Sequence, residues 1–361
     1  MDVREKSVQL FFVSTLMYWN QNQNNRSMPW KGIKDPYKIW LSEIILQQTR
    51  VEQGLAYYNN FVKKYPTIND LANANENEVF KNWEGLGYYS RCKNLIATAK
   101  FISNEKSGVF PNTYEEILNL KGVGPYTAAA ISSFAFNLPH AVVDGNVMRI
   151  LTRFFGIDTP IDSTEGRYLL NELAQNLLDK RKANIYNQAI MDFGATVCKP
   201  KQPNCKTCNF SENCYSFNYS TPEAFPKKSK AKAKTNRWFI YFVPVYKNKV
   251  LVGKRQQKDI WQNLFEFPKI ELNEFPTLDL LYNSQNIDLI KKMNLIISEI
   301  PPFQVQLLTH LKIHACFIDV NLNKKIQFEH FEYVSPESLK SLPFPKIIAS
   351  FIQSNNFQKS S

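Results

Sequence analysis

The sequence has no long apolar run. No stretch among its 361 residues reaches the roughly 18 consecutive apolar residues that a membrane-spanning helix needs. The richest stretch, residues 128–143, is interrupted by serines, an asparagine, a proline and a histidine. The N-terminus opens with charged side chains rather than with the apolar core of a signal peptide. The sequence therefore predicts neither a membrane span nor secretory export, and it places the protein in the cytoplasm.

Acidic residues are also few. There are 44 Lys and Arg against 32 Asp and Glu, a net charge of +12, and the natural partner of such a surplus is a polyanion such as nucleic acid. Residues 224–258 carry eleven Lys or Arg and no acidic residue. Their densest part, residues 226–237 (PKKSKAKAKTNR), has no apolar side chain larger than Ala or Pro. We predict a basic linker over residues 221–237, either a solvated spacer or one that also touches phosphates.

Composition and periodicity predict two domains around this linker. The chain has ordinary globular usage, with 44% hydrophobic and 21% charged residues, and its length fits two domains of about 100–200 residues. Apolar residues recur at helical spacing in residues 8–19, 37–46, 51–62, 95–102, 146–155 and 168–178. Strands are predicted at residues 238–246, 249–252, 303–308 and 313–320. The expected architecture is a mainly α domain over residues 1–220 and an α/β domain over residues 238–361.

Four of the six cysteines lie close together in the sequence. Their spacing is C-x6-C-x2-C-x5-C, at Cys198, Cys205, Cys208 and Cys214. Six cysteines without a signal peptide indicate a reducing compartment, and this spacing lets one short loop wrap an inorganic centre with four thiolates. Zinc stays an alternative, although the paired C-x2-C knuckles typical of structural zinc are absent. The sequence predicts one [4Fe-4S] cluster, with Cys92 and Cys316 as small core residues.

Two features suit the DNA backbone. Lysines dominate the cysteine loop, at Lys199, Lys201 and Lys206, and form a basic knob. Upstream, Gly122 and Gly124 lie between two helix signals, a capping box of Thr113 with Glu116 and the first-turn proline Pro125. Glycines let the backbone approach closely, and a helix N-terminus offers free N–H groups to a phosphate. A helix-hairpin-helix DNA element is therefore predicted over residues 113–136.

Five motifs occur in one order along the chain. They are WLSEIILQQTRV (residues 40–51), GLGYYSR (85–91), LKGVGPYTAAA (120–130), VVDGNVMRI (142–150) and the four cysteines. Together they resemble MutY-type adenine DNA glycosylases of the endonuclease III superfamily, strongly over residues 5–220 and more loosely beyond. The resemblance implies base excision repair of double-stranded DNA, in which an adenine mispaired with 8-oxoguanine or guanine is flipped out and removed, leaving an abasic site.

The position two residues past the second hairpin glycine separates the branches of this superfamily. Enzymes that also cleave the strand carry a lysine there for Schiff-base chemistry, whereas this chain has Tyr126. Asp144 is followed by Gly145 and Asn146, as in the adenine-specific branch, where the endonuclease III branch favours Thr-His. The resemblance therefore implies a monofunctional enzyme in which Tyr126 and Asn146 orient the sugar and the attacking water.

Glu43 and Asp144 are the candidate catalytic residues. Glu43 lies in a largely apolar helix, where burial is expected to raise its pKa and make it an acid near neutral pH that protonates the flipped adenine. Asp144 precedes a helix that begins near Asn146. The helix dipole and backbone N–H groups are expected to keep Asp144 ionised, so that it stabilises the oxocarbenium-like sugar or attacks it.

The resemblance also assigns contacts with DNA. Gln48 is expected to enter the base stack beside Thr49, and Tyr88 to wedge next to the orphaned partner base. The adenine pocket is assigned to Arg26, Trp30 and Gln188.

The C-terminal region resembles a second known fold. Residues 261–268 (WQNLFEFP) are similar to the opening of a Nudix domain, but the metal-binding cluster G-x5-E-x7-R-E-x2-E-E does not follow, so nucleotide hydrolysis is not expected. In MutY-type enzymes such a domain reads 8-oxoguanine with a Phe-Ser-His loop, which corresponds here to Leu308, Thr309 and His310. Leu308 departs from the aromatic. Lys121 departs from the usual proline before the hairpin glycines, which is expected to loosen the turn and add positive charge.

The leading hypothesis is a monomeric, monofunctional adenine DNA glycosylase. A glycosylase with another target, such as thymine opposite guanine, stays open because residues outside these motifs set base choice. A non-catalytic DNA-scanning protein with an iron–sulfur cluster is the hypothesis from another class. The presence of both Glu43 and Asp144 argues against it.

Overall fold

The computed structural model describes residues 5–230, 233–283 and 287–355. Residues 231 and 232 of the predicted linker lie outside the described residues. The chain divides into two compact units, the first formed by Met1–Ala72 with Ala97–Ala231 and the second by Asn73–Ile96 with Lys232–Ser361. None of the described helices is long and apolar enough to cross a membrane.

Helices predominate in residues 5–230. They are α1 (Lys6–Asn22), α2 (Pro36–Leu46), α3 (Val51–Lys64), α4 (Ile68–Asn73), α5 (Glu76–Asn82), α6 (Tyr89–Glu105), α7 (Tyr114–Leu118), α8 (Pro125–Phe136), α9 (Gly145–Phe155), α10 (Thr164–Leu177), α11 (Ala183–Thr196) and α12 (Tyr215–Asn218). The six helical segments predicted from apolar spacing are confirmed. Short 3-10 helices at Lys180–Lys182, Cys205–Thr207, Ser211–Asn213 and Pro222–Ala224 complete this part of the chain.

Side-chain caps set the starts of the helices that matter for the site. Asp35 accepts a hydrogen bond from the N–H of Tyr37 at 3.0 Å and begins α2. Thr113 accepts from the N–H of Glu116 at 3.3 Å and begins α7, as the predicted capping box requires. Pro125 then opens α8 at the first helical position, where its missing N–H has no cost.

The core of the first unit forms where α1, α9, α10 and α11 bury their apolar faces together. Phe12 of α1 meets Phe154 of α9 edge to face, with 5.0 Å between ring centroids, and Trp19 meets Phe193 of α11 in the same way at 4.9 Å. Helix α2 packs against both α3 and α8 and is buried on nearly every side. A polar side chain at the middle of α2 is therefore held in an apolar environment.

A mixed sheet organises the second unit. Its strands are β1 (Thr235–Tyr246), β2 (Lys249–Lys254), β3 (Phe265–Glu266), β4 (Lys269–Leu272), β5 (Gln304–Leu307), β6 (Leu311–Asn321) and β7 (Phe331–Val334). The order is β3-β2-β1-β6-β5, with β4 also paired to β1 and β7 to β2. Strands β1 and β6 run parallel, with Thr235 aligned to Leu311 and Val245 to Asn321, and the other pairs are antiparallel. The predicted strands are confirmed.

Both faces of this sheet are covered. Helices α13 (Leu278–Tyr282) and α14 (Ile287–Lys292) supply Leu281 and Ile290 to the core on one face. On the other face, Phe351 of α16 (Lys346–Ser354) stacks on Phe317 of β6 with 3.9 Å between centroids. Helix α15 (Pro336–Ser341) packs beside β2.

Residues 73–96 belong to the second unit although they lie upstream in the sequence. The hydroxyl of Tyr89 donates to the carbonyl oxygen of Phe344 at 3.2 Å, and Lys81 Nζ donates to that of Leu342 at 3.2 Å. The predicted division into residues 1–220 and 238–361 places residues 73–96 in the first domain, whereas the contacts of these residues group them with the second unit. Strand β1 also begins inside the predicted linker, because Thr235 pairs with β6.

Candidate active site

One cavity of about 200 Å³ in the first unit brings the predicted residues together. Eight of the residues predicted from the sequence line it: Arg26, Trp30, Glu43, Thr49, Tyr126, Asp144, Asn146 and Gln188. They come from the segment after α1, from α2 and the turn that follows it, and from α8, α9 and α11. Both charged and apolar side chains line the cavity, as is usual for ligand sites.

Glu43 is the buried acid of this cavity. It lies in the middle of α2 with only 7% of its surface exposed. Burial is the main cause that raises the pKa of Glu43, a hydrogen bond from the Tyr126 hydroxyl lowers it, and the nearby Asp144 raises it, with a net value of about 7. A substantial fraction of Glu43 is therefore protonated at neutral pH, so the side chain can donate a proton under physiological conditions.

Asp144 occupies the N-cap of α9. Its carboxylate accepts from the N–H of Val147 at 2.8 Å and from Asn146 Nδ2 at 2.7 Å. Burial raises the pKa of Asp144 above its ordinary value, while these two hydrogen bonds and the charge of Arg149 lower it. The N–H donors and the guanidinium all favour the ionised form.

Arg149 connects this carboxylate to the cysteine loop. Its Nη2 donates to Asn146 Oδ1 at 2.9 Å and to the carbonyl oxygen of Gly194 at 2.7 Å. Its Nε donates to the carbonyl oxygen of Cys198 at 2.8 Å. Asn146 is thus held between Arg149 and Asp144. Sequence reasoning missed Arg149, and the only signal was a charged residue on an otherwise buried helix.

The four predicted metal-binding cysteines lie around one small cavity of about 30 Å³. Burial raises the pKa of the Cys208 thiol to about 12, with smaller contributions from the three other cysteines. Four thiols this close together need a cationic centre before all can ionise. The donor set therefore fits a cluster held by four thiolates, although the described residues contain no group of three His, Cys, Asp or Glu arranged to hold a metal ion.

Arg153 braces the same loop from α9. Its Nη1 donates to the carbonyl oxygen of Lys199 at 2.6 Å and lies 3.4 Å from Cys198 Sγ. Its Nη2 donates to the carbonyl oxygen of Pro200 at 2.9 Å. The predicted basic knob is exposed, at Lys199, Lys201 and Lys206. Arg153, four residues after Arg149, was also missed from the sequence.

The hairpin glycines lie between α7 and α8 as predicted. Gly122 has a φ of +81°, which L side chains rarely adopt, and Gly124 is the N-cap of α8. A Cβ at Gly124 would meet nothing within 4 Å, so its backbone is open to an approaching group. The hydroxyl of Thr98 donates to the carbonyl oxygen of Lys121 at 2.9 Å, which steadies the turn where the usual proline is absent.

Gln48 lies on the turn after α2, next to the cavity-lining Thr49. It is exposed and has a φ of +56°, a conformation uncommon for residues other than glycine, and such residues cluster at functional sites. The turn points an amide side chain to solvent beside the cavity that contains Glu43.

Tyr88 and the predicted reading loop lie together in the second unit. The hydroxyl of Tyr88 shares a hydrogen bond of 2.8 Å with Thr309 Oγ1. Leu308, Thr309 and His310 form the turn between β5 and β6, with Thr309 and His310 exposed. Tyr88 has a φ of +47°, is 43% exposed, and its ring faces the guanidinium of Arg91 at 5.5 Å.

Comparison with known proteins agrees with this fold. Residues 41–194 match the HhH-GPD superfamily of base excision DNA repair proteins, and residues 240–354 match the NUDIX domain. A solved structure described as a thermostable thymine-DNA glycosylase aligns with 59% of this chain and 98% of its own, at 31% identity and a TM-score of 0.55. The fold and the family match therefore define a helix-hairpin-helix base excision repair protein.

Sequence relatives narrow the class. The adenine DNA glycosylase of Buchnera aphidicola subsp. Baizongia pistaciae is 36% identical over 319 residues, 87% of each chain. That of Buchnera aphidicola subsp. Schizaphis graminum is 33% identical over 315 residues, 86% of this chain and 88% of its own. The chain belongs to the adenine DNA glycosylase family.

Proposed function

We propose that the protein is a monofunctional adenine DNA glycosylase that removes adenine paired with 8-oxoguanine or guanine. The observation that carries the proposal is the pair of carboxyl groups of Glu43 and Asp144, which line one cavity in different surroundings. One carboxyl is buried with a pKa of about 7, and the other caps a helix and accepts hydrogen bonds from N–H groups. Two carboxyl groups with distinct environments suit an acid and a charge-stabilising partner.

The reaction follows from these two environments. Protonated Glu43 gives its proton to a ring nitrogen of the flipped adenine, and the C1′–N9 bond breaks with its electron pair moving to the base. The positive charge that develops on the sugar is stabilised by ionised Asp144, which Asn146 and Arg149 hold in place. Water then bonds to C1′ and releases a proton to solvent, leaving an abasic site and the free base. Tyr126 has no amine and forms no Schiff base, so the strand stays intact.

The remaining predicted residues supply DNA binding. The hairpin glycines and the exposed lysines of the cysteine loop contact phosphates of double-stranded DNA, and Gln48 and Tyr88 fill the space of the flipped base. Thr309 and His310 read the opposite base. The four cysteines would hold a [4Fe-4S] cluster, which when bound would fix the loop that carries the lysines. The expected state is a monomer acting on DNA in the cytoplasm.

A gel assay on three duplexes tests the proposal. The duplexes carry adenine opposite 8-oxoguanine, adenine opposite guanine, and thymine opposite guanine, each incubated with and without alkali treatment. Alkali-dependent cleavage of only the adenine strand is expected. Cleavage at thymine would favour the second candidate function, a glycosylase for thymine opposite guanine. This candidate is tested because the chain is 31% identical to the thymine-DNA glycosylase structure. Cleavage without alkali would contradict the monofunctional assignment.

A further inference from the structure

Asp192 of α11 is a fully buried carboxylate that neither the sequence motifs nor the mechanism above uses. Its side chain has 0% exposed surface. Oδ1 accepts from Arg26 Nη1 at 2.8 Å and from Gln188 Nε2 at 2.9 Å. Oδ2 accepts from Lys31 Nζ at 2.8 Å and from Asn24 Nδ2 at 2.9 Å. Each oxygen therefore has two donors, which fills the accepting capacity of a carboxylate.

These contacts fasten an irregular segment to a helix. Residues 24–28 have no helix or strand of their own, yet Arg26 from this segment lines the cavity. Lys31 also donates to the carbonyl oxygen of Arg26 at 2.7 Å, which closes the segment on itself. The buried carboxylate of Asp192 therefore fixes the position of Arg26 in the wall of the cavity.

The contact with Gln188 has a further chemical consequence. Gln188 and Asp192 are four residues apart on α11, where side chains are neighbours. An ionised carboxylate has no hydrogen to donate, so only the NH2 end of the Gln188 amide can face it. The amide end left for the cavity that Gln188 lines is the carbonyl oxygen, which only accepts hydrogen bonds.

We propose that Asp192 is a positioning residue that sets the hydrogen-bonding polarity of the base pocket by holding the carbonyl oxygen of Gln188 toward the flipped base. This inference rests on the proposed adenine glycosylase function. A hydrogen-bond acceptor at this place pairs with the amino group at position 6 of adenine, which is a donor. It cannot pair with an oxo group at position 6, which is itself an acceptor. The pair therefore selects adenine against hypoxanthine, since a mismatched polar group in a buried site is left unpaired.

The test compares single-turnover rates of base release from duplexes containing adenine or hypoxanthine opposite guanine. In Asp192→Asn the side chain at 192 can donate as well as accept, so the Gln188 amide is free to turn over. The ratio of adenine to hypoxanthine rates is expected to fall by about tenfold, the size of one hydrogen bond. A loss of both rates by the same factor would overturn the inference, because it would indicate a structural role alone.

A charge-swapped double variant separates polarity from stability. The variant combines Asp192→Asn with Gln188→Glu, so the carboxylate is now at position 188 and the amide at position 192. The amide NH2 group donates to one oxygen of this carboxylate. The other carboxylate oxygen faces the cavity as a hydrogen-bond acceptor. The adenine preference should return to within a few fold of the wild type. Failure to recover in a protein that circular dichroism shows to be folded would contradict the inference.

The control is Asp162→Asn, since Asp162 also holds a distant segment by accepting from Ser229 at 2.9 Å but does not line the cavity. Its ratio should be unchanged. If the wild type releases no adenine, the proposed function fails and the inference fails with it. If the wild type releases adenine and Asp192→Asn keeps the full ratio, the inference alone fails.

Discussion

Arg149 donates through Nε to the carbonyl oxygen of Cys198 at 2.8 Å. The same guanidinium holds Asn146, whose amide donates to Asp144. A continuous chain of hydrogen bonds therefore runs from the first cysteine of the cysteine loop to the carboxylate proposed to stabilise the sugar. The geometry of the active site and the conformation of that loop are mechanically linked through one side chain.

Replacement of Arg149 by Met is expected to lower base release by at least about tenfold while duplex binding is retained. Asn146 loses the hydrogen-bond donor that holds its side chain. The carbonyl oxygens of Gly194 and Cys198 also lose their donor, and each buried group left unpaired costs about 1–3 kcal/mol of stability. Single-turnover rates and filter-binding affinity measure the two effects. Arg167→Met, at an exposed arginine of α10, is the control. Equal loss of binding and release would argue against a specific role in the active site.

Glu43→Gln is expected to abolish detectable base release, a loss of about 100-fold or more, while the mismatch is still bound. Glutamine keeps the shape of Glu43 and removes the proton that it donates. Rates on an adenine duplex, with binding measured in parallel, check this. Retained turnover would remove Glu43 from the role of acid.

The same substitution should stabilise the fold at alkaline pH. The pKa of Glu43 is raised from 4.5 to about 7 in the folded protein, so ionisation favours the unfolded state. Below pH 4.5 there is no penalty. The penalty grows between the two values and above pH 7 reaches about 3 kcal/mol. The free energy of unfolding of Glu43→Gln should therefore exceed that of the wild type at pH 8 and equal it near pH 4. A difference that does not vary with pH would contradict the burial argument.

The pH profile of base release should have an alkaline limb set by Glu43. Because the acid form is required, the rate should fall as pH rises through about 7. The Tyr126 hydrogen bond lowers the pKa of Glu43, so Tyr126→Phe should move this limb to higher pH. Tyr186→Phe is the matched control, since its buried hydroxyl has no hydrogen-bond partner among the described residues. A limb that stays in place in Tyr126→Phe would exclude the hydrogen bond as a determinant.

Cys198→Ser should lose the visible absorbance and iron of the proposed [4Fe-4S] cluster and bind DNA more weakly. Three thiolates remain, and the loop that carries the exposed lysines loses its fixed conformation. Absorbance spectra, iron content and duplex affinity are the measurements. Cys92→Ser replaces a buried cysteine outside the loop and should keep the spectrum. An unchanged spectrum with normal iron content in Cys198→Ser would refute the assignment.

The hydrogen bond between Tyr88 and Thr309 should contribute to the preference for 8-oxoguanine over guanine. Tyr88→Phe and Thr309→Val each remove one hydroxyl, and the double variant should lose little more than either single variant. The coupling expected for one hydrogen bond is about 1 kcal/mol. Affinities for the two duplexes in all four proteins give this value. Strict additivity would show that the two residues act independently. Tyr168→Phe, at an exposed tyrosine of α10, should leave the preference unchanged.

Local features were readable from the sequence because they depend on neighbours in the chain. The capping box at Thr113 begins α7, and the proline at position 125 begins α8. The parallel pairing of β1 with β6 was not predictable, since it joins segments separated by more than sixty residues. Residues 73–96 group with the second unit, an arrangement that a linear boundary cannot describe because this unit is built from two separate segments.

The sequence by itself determined the cysteine spacing, the glycines of the hairpin, the tyrosine at position 126 and the basic charge, because each is a matter of residue type and position. Only the tertiary structure decided the surroundings of the charged groups. Burial raises the pKa of Glu43 to about 7. Asp192 accepts a hydrogen bond from Asn24, which lies 168 positions away in the sequence. Such side-chain environments depend on which helices pack together, and that packing brings together residues that no local pattern relates.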